Sequence, residues 1–148
     1  MIAAVSNMFE NTVALTRIIL AGILDEFPRL KLVCPHLGGT LPYIIGRLDH
    51  QVCVLKRGPT HLAHPPSEYL RRVWFDCVSP LPQAMRFLID LLGSDRLLFA
   101  SDYPWVDPAL ILATLRSLKL TRAAEDAVLH GNARRLFGIG PSPGNHPV

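Results

Sequence analysis

The chain has 148 residues and a formal net charge of +3, and 49% of its residues are hydrophobic against 18% that are charged. This length fits a single domain, and the low charged fraction predicts strands buried on both faces or surface normally covered by more protein. The charge argues against nucleic-acid binding, because basic residues are scattered except for Arg71-Arg72 and Arg134-Arg135, which we expect on solvated helix faces. The longest apolar stretch, residues 13–24, is interrupted by Thr16 and Arg17 and is too short to cross a bilayer, so no membrane segment is expected.

The cysteines predict a reducing compartment. Cys34, Cys53 and Cys77 are odd in number, widely spaced and without a CxxC pair, which favours neither a disulfide framework nor a zinc knuckle. We expect three reduced thiols in a cytoplasmic protein. The N-terminus also lacks the basic and apolar regions of a signal peptide.

Hydrophobic periodicity and helix-breaking residues predict strands that alternate with helices. Asn11 or Thr12 is expected to cap the first helix and Pro28 to end it. In chain order the predicted elements are a helix over 11–27, a strand over 31–34, a helix over 41–54, a loop over 57–66, a helical turn from 67, a strand over 73–78, a helix over 83–92, a strand over 97–101, a helix over 107–118, and helices beginning near 121 and 132. This alternation is typical of right-handed βαβ crossovers, so the predicted fold class is α/β with a parallel sheet.

Polar side chains follow each predicted strand. The first strand is followed by His36, the second by Asp76 or Ser79, and the third by Asp102. Ligands of α/β folds bind at the carboxyl ends of parallel strands, so an imidazole and a carboxylate are expected at one rim. Such a pair is suited to hold a divalent metal or to activate a water molecule.

Each of these residues also has a structural interpretation. His36 alone is typical of a structural hydrogen-bonding group, Asp102 of a helix N-cap, and Asp76 of a partner for Arg72 or Arg96. The shared position of the three residues on successive strands is what favours a functional site.

Other candidate residues are less specific. His61 and His64 lie in a loop that leads into a strand, which is the face opposite the active site of a parallel barrel, so a solvated loop is the favoured interpretation. The sequence "HLGG" before a helix allows an anion-binding alternative, although it matches neither GxGxxG nor a Walker loop. Among the aromatic residues, we expect Trp74, Phe75, Phe99 and Tyr103 mostly in the core, while Tyr103 and Trp105 are also candidates to line a pocket because they follow Asp102.

Four motifs resemble a known family. "EFPRLKLVCPHLGGTLPYIIGRLDH", "PSEYLRRVWFD", "GSDRLLFASDYPW" and "GNARRLFG" occur in an order that closely resembles the C-terminal half of the amidohydrolase 2 family. These are metal-dependent (β/α)8 TIM barrels, of which the aminocarboxymuconate-semialdehyde decarboxylase group is the best-studied branch. The resemblance implies that the three strands are the sixth to eighth of a barrel, with helices packed on the outer face of their sheet.

The resemblance also implies residue roles. His36 matches a histidine that positions and activates metal-bound water, and Asp102 matches a ligand of a divalent metal, usually zinc. Arg47 matches an arginine that reaches into the neighbouring subunit and binds a substrate carboxylate. Apart from the resemblance, Tyr103 and Trp105 are expected to contact substrate because they follow Asp102. Asn132 matches a position expected to be a helix cap.

Other family features are missing from the sequence. The family carries an HxH pair on the first strand and a ligand histidine on the fifth, whereas this chain has no histidine before His36. We therefore predict a metal-dependent hydrolase or decarboxylase that acts on a small carboxylate-bearing substrate and is incomplete in this chain, with a partial barrel over 1–139 and a flexible tail over 140–148. The alternative is a non-catalytic half-barrel that functions only by pairing with another chain. Either a homodimer or a partner chain that supplies the missing strands is expected, because three strands alone expose apolar faces and an open edge.

Overall fold

The computed structural model describes residues 2–140, with side chains from Ala4 onward. Within that range the helices and strands are α1 (Ile2–Leu20), α2 (Ile23–Glu26), β1 (Leu32–Cys34), α3 (Leu41–Asp49), α4 (Pro66–Leu70), β2 (Val73–Asp76), α5 (Pro82–Leu92), β3 (Leu97–Leu98), α6 (Pro108–Ser117), α7 (Arg122–Asp126) and α8 (Asn132–Phe137). Two 3-10 turns precede α3 and β3, and two π-helical turns follow α3 and α7. The predicted tail over 140–148 lies outside the described residues except for Gly140.

The strands form a parallel sheet in the order β1-β2-β3 among the described residues, as the alternation of strands and helices predicted. Cys34 lies opposite Phe75, and Phe75 lies opposite Leu97. β2 is the central strand, and its first three residues are buried, as its continuous apolar run requires. β3 pairs over two residues only, so the predicted strand over 97–101 is too long.

The first helix begins about nine residues earlier than predicted, and neither Asn11 nor Thr12 caps it. The Thr12 hydroxyl donates to the Met8 carbonyl over 2.6 Å and accepts from the Thr40 backbone N–H over 2.8 Å. Thr12 therefore joins α1 to the start of α3 from within the helix. The helix ends at Leu20, and Gly22 then adopts a left-handed conformation with φ 73°.

Side chains on the two faces of the sheet pack into two different hydrophobic clusters. Phe75 and Leu97 lie in the main core with residues of α1, α5 and α6, which fits the predicted packing of helices on one face. Trp74 and Leu98 point to the opposite face, where Leu136 of α8 covers them. α8 therefore packs on the second face, which the sequence did not predict.

The arginines are less solvated than expected. Arg72 is half-buried, and its guanidinium lies 3.4 Å from the Asp25 carboxylate and also donates to the Leu24 carbonyl. Arg135 is exposed, but its guanidinium lies 5.1 Å from the centre of the Trp74 ring. A solvated helix face was therefore the wrong interpretation for Arg72.

Two further observations concern the cysteines and the helices of the described residues. All three cysteines are free, with Cys34 and Cys77 buried and Cys53 partly exposed. None of the helices within residues 2–140 combines the length and the apolar character needed to span a membrane.

Candidate active site

The loops that follow the three strands meet at one cavity of about 930 Å³. His36 and Asp102 both line it, and Ser79 lies between them on the loop after β2. α1, α3 and α5 supply the remaining walls. The parallel topology brings these side chains together because all three strands present their carboxyl ends at the same edge of the sheet.

His36 lies in a turn of unusual backbone conformation. The φ angles of His36 and Leu37 are both 54°, and those of Gly38 and Gly39 are 82° and 67°. Four successive residues are thus left-handed, which is unfavourable for the two that carry a Cβ atom. Backbone N–H groups close the turn, because Gly38 donates to the Pro35 carbonyl and Gly39 to the His36 carbonyl, each over 3.0 Å.

This turn removes the basis for the anion-binding alternative at "HLGG". The N–H groups of both glycines are occupied by carbonyls of the same turn. They are therefore not available to bind a phosphate group.

Asp76 lies beneath the turn, and it is not among the residues that line the cavity. Its Oδ1 accepts a hydrogen bond from the Val78 backbone N–H over 3.0 Å. Burial raises the pKa of the Asp76 carboxyl, while the backbone N–H groups of Val78, His36 and Leu37 and the His36 imidazole lower it. The predicted pairing of Asp76 with an arginine is wrong, because Arg72 pairs with Asp25 and Arg96 lies 3.6 Å from Asp95.

Asp102 is exposed and has a left-handed backbone with φ 65°. Its carbonyl accepts from the Trp105 N–H over 2.9 Å in a turn. The N-cap interpretation is wrong, since α6 is capped by Asp107, whose carboxylate accepts from the Ala109 N–H over 2.8 Å. Within residues 4–140 the structure records no hydrogen bond or ion pair for the Asp102 carboxylate, which leaves it available to a ligand.

The predicted substrate-binding residues differ in position. Trp105 lines the cavity although its side chain is 84% exposed. Tyr103 is 78% exposed, so its expected place in the core is wrong, and it is not among the lining residues. Arg47 is exposed on α3 and also does not line the cavity.

Two aromatic residues of the cavity wall were not predicted. Tyr43 on α3 and Phe87 on α5 are neighbours in the cavity lining, with ring centres 6.5 Å apart. The signal that could have identified them is an aromatic residue on the polar face of each helix, since Tyr43 is 81% and Phe87 43% exposed.

The remaining candidates lie outside the cavity. His61 and His64 are exposed, as predicted for a solvated loop, and Nδ1 of His64 lies 3.3 Å from the Glu68 carboxylate. Asn132 is not a helix cap. It is 1% exposed, and its side-chain amide donates to the carbonyls of Ser94 and Leu97 over 2.8 and 2.7 Å, which ties α8 to β3.

The donor set fits part of a metal site. The His36 imidazole and the Asp102 carboxylate are ligand types that zinc accepts, and they line one cavity. However, no group of three or more His, Cys, Asp or Glu side chains within residues 2–140 is arranged to hold a metal ion. A protein zinc site uses three or four protein ligands, so these two residues do not complete one.

Comparison with known proteins identifies relatives of this fold. The chain is 28% identical to the 2-amino-3-carboxymuconate-6-semialdehyde decarboxylase of Dictyostelium discoideum over 141 residues, which cover 90% of this chain and 38% of that protein. The crystal structure of 5-carboxyvanillate decarboxylase from Sphingomonas paucimobilis matches with a TM-score of 0.76 and 33% identity over 86% of this chain and 39% of that one. A dihydroxybenzoic acid decarboxylase from Polaromonas sp. JS666, with bound manganese and the inhibitor 2-nitroresorcinol, matches with a TM-score of 0.78 and 25% identity over 88% and 40%.

The chain therefore spans about two fifths of the length of these relatives. The likeness confirms the fold that the motifs implied, which is part of an amidohydrolase barrel whose sheet is not closed within the described residues. The Amidohydro_2 family model, described as amidohydrolase, matches residues 5–139. The chain belongs to the amidohydrolase family.

Proposed function

We propose that this chain carries the histidine and the aspartate of a metal-dependent decarboxylase site that acts on a small aromatic carboxylate. The observation that carries the proposal is the placement of His36 and Asp102, both on left-handed loops, around one cavity at the carboxyl ends of the strands. Strained backbone is concentrated at functional sites. The three relatives described above are decarboxylases by name, which favours C–C cleavage over hydrolysis.

Each residue has a distinct role in this proposal. Decarboxylation breaks the bond between the substrate and its carboxyl carbon, releases CO₂, and leaves a carbon that takes up a proton. The His36 imidazole holds or moves that proton, because an imidazole nitrogen can accept and donate a proton. Asp102 would hold a divalent cation, which would supply polarisation of the substrate oxygens when bound.

Either manganese or zinc is compatible with these donors. The resemblance implies zinc, and the Polaromonas relative binds manganese. We therefore assign a divalent cation to the site and test both ions.

The cavity walls favour a flat aromatic substrate. Tyr43, Phe87 and Trp105 provide aromatic surface beside the two polar residues, and aromatic rings pack on one another in offset or edge-to-face arrangements. Arg47 binds a substrate carboxylate only if a neighbouring subunit brings the cavity to it, because it does not line the cavity of its own chain.

A second candidate function follows from the incomplete ligand set. Since no group of three potential ligands exists within residues 2–140, the chain is a half-site that becomes catalytic only with ligands from elsewhere. The source is either further residues of a longer polypeptide or a partner chain, and a homodimer is one form of the latter.

A chimera tests the function without depending on the source of the other ligands. Residues 5–139 replace the matching segment of 5-carboxyvanillate decarboxylase, and CO₂ release from 5-carboxyvanillate and from dihydroxybenzoate is measured with Mn²⁺ or Zn²⁺. We expect an active chimera in which His36→Gln and Asp102→Asn each lower kcat by about 100-fold or more.

The matched control is Asp90→Asn, which changes an exposed carboxylate on α5 outside the cavity. It is expected to keep full activity. If the His36 and Asp102 variants remain as active as this control, the proposed roles are wrong. The native 148-residue chain is assayed in parallel, and activity of its monomeric form would mean that the second candidate function is wrong.

A further inference from the structure

We infer that Asp76 is a positioning residue, whose carboxylate holds both the turn that carries His36 and the neighbouring loop after β2. The inference extends the proposed function to a residue for which the sequence suggested only an arginine partner. Its consequence for catalysis rests on the proposed function, whereas the anchoring itself does not.

The turn requires an anchor because its backbone is unfavourable. His36 and Leu37 both have φ 54°, a left-handed conformation that residues with a Cβ atom avoid. Such conformations persist only where the surroundings hold them in place. Two glycines follow and tolerate the same region, but they do not fix the two residues before them.

The register of the sheet brings Asp76 to this turn. Cys34 pairs with Phe75, so the next residues of the two chains, Pro35 and Asp76, lie side by side at the carboxyl end of the sheet. The backbone N–H groups of His36 and Leu37 and the His36 imidazole lie near enough to the Asp76 carboxyl to lower its pKa.

The same carboxylate also organises the second loop. Its Oδ1 accepts from the Val78 N–H over 3.0 Å, and Val78 and Ser79 both line the cavity. One half-buried side chain therefore contacts two of the three loops that form the rim, while it stays behind the cavity wall itself.

Neither of the predicted arginines occupies the Asp76 carboxylate. The arginines expected to pair with it contact Asp25 and Asp95 instead. The flanking thiols of Cys34 and Cys77 are neutral at physiological pH, because burial raises the pKa of each to about 11.

Nuclear magnetic resonance of the 148-residue chain tests the anchoring. A strong intraresidue HN–Hα NOE marks a positive φ, and it is measured at His36 and Leu37 in the wild type, Asp76→Asn, Asp76→Ala and the control Asp90→Asn. We expect Asp76→Asn to weaken both NOEs and to shift the amide signals of His36, Leu37 and Val78, with a larger effect of Asp76→Ala if that variant folds. If Asp76→Asn changes these signals no more than Asp90→Asn does, the inference is overturned.

The chimera separates this inference from the proposed function. There, Asp76→Asn is expected to lower kcat by about tenfold with little change in KM, because His36 is displaced but the pocket remains. A normal kcat together with displaced NMR signals would keep the anchoring and contradict the catalytic role of His36. An unchanged NOE pattern contradicts the anchoring whatever the activity.

Discussion

His36 and Asp102 line the same cavity, and both have left-handed backbones, with φ 54° and 65°. Each lies in the loop that follows a strand, since His36 is two residues after the end of β1 and Asp102 is four residues after the end of β3. Glycine and asparagine are favoured at such positions, because they adopt a positive φ more readily than other residues. The presence of a histidine and an aspartate at these positions indicates that the chemistry of the side chains, rather than the conformational preference of the backbone, determines which residues occur there.

The first prediction concerns Gly38, which lets the His36 turn pack on the sheet. A Cβ atom at Gly38 would lie 2.7 Å from Cε1 of Phe75, and its φ is 82°. We expect Gly38→Ala to lower the free energy of unfolding by about 2 kcal/mol or more, since steric overlap and backbone strain both contribute. Urea denaturation measures the change.

Gly46 provides the matched control for this change. It lies within α3, and a Cβ atom there would meet nothing within 4 Å. Gly46→Ala is expected to raise stability by up to about 1 kcal/mol, because alanine is the better helix former. Equal effects of the two substitutions would show that the turn is not tightly packed.

The second prediction concerns Asn132, the buried residue that connects α8 to β3. Its side-chain amide donates to two backbone carbonyls, those of Ser94 and Leu97. Asn132→Ala should lower the free energy of unfolding by about 2 kcal/mol, because a buried carbonyl loses its partner. Asn7→Ala on the exposed surface of α1 serves as the control in the same denaturation experiment, and a loss no greater than in that control would contradict the structural role.

The sequence predicted the layout of the sheet better than the contacts around the site. Alternating strands and helices and the prolines that separate them were sufficient for three parallel strands, because these are local signals. The predicted role of Asn132 as a helix cap was wrong, since its hydrogen-bond partners lie over 30 residues away in the chain. Asp76 was predicted to pair with an arginine because opposite charges attract. A backbone N–H group is its hydrogen-bond partner instead. The sequence does not indicate such a partner, since nearly every residue carries a backbone N–H group.

The start of α1 shows the same limit. Asn11 and Thr12 are good N-cap residues, so a helix beginning there was the natural prediction. The helix begins at Ile2 instead, and Thr12 bonds to Thr40 on the far side of β1. A tertiary contact therefore determines the role of a residue whose local preference points elsewhere.

The third prediction is a pH dependence. The Tyr69 hydroxyl donates to Asp25, and this bond, aided by the Ala63 N–H and the Arg72 guanidinium, lowers the pKa of Asp25 below its ordinary value of 3.8 against the opposing effect of burial. A carboxyl with a lowered folded-state pKa stabilises the fold above its unfolded pKa and loses that contribution as the pH falls through the folded value.

Asp25→Asn should therefore lower the free energy of unfolding by about 1 kcal/mol at pH 7, with the difference shrinking as the pH falls below 3.8 and through the lowered folded-state pKa of Asp25. Denaturation of both proteins from pH 2 to 7 measures this difference. Asp90→Asn is expected to change little over the same range, because its contact with Arg86 at 3.9 Å is exposed. A constant difference between wild type and Asp25→Asn down to pH 2 would contradict the assignment.

The most direct test of the metal site is paramagnetic broadening of the 148-residue chain by substoichiometric Mn²⁺, because it detects even a weak site with an incomplete ligand set. We expect the amide signals of residues 36–40 and 101–106 to broaden first, Asp102→Asn to abolish the effect, and added Zn²⁺ to reverse it if both ions share the site. Broadening centred on another surface, or unchanged in Asp102→Asn, would show that Asp102 is not a metal ligand and would contradict the proposed function.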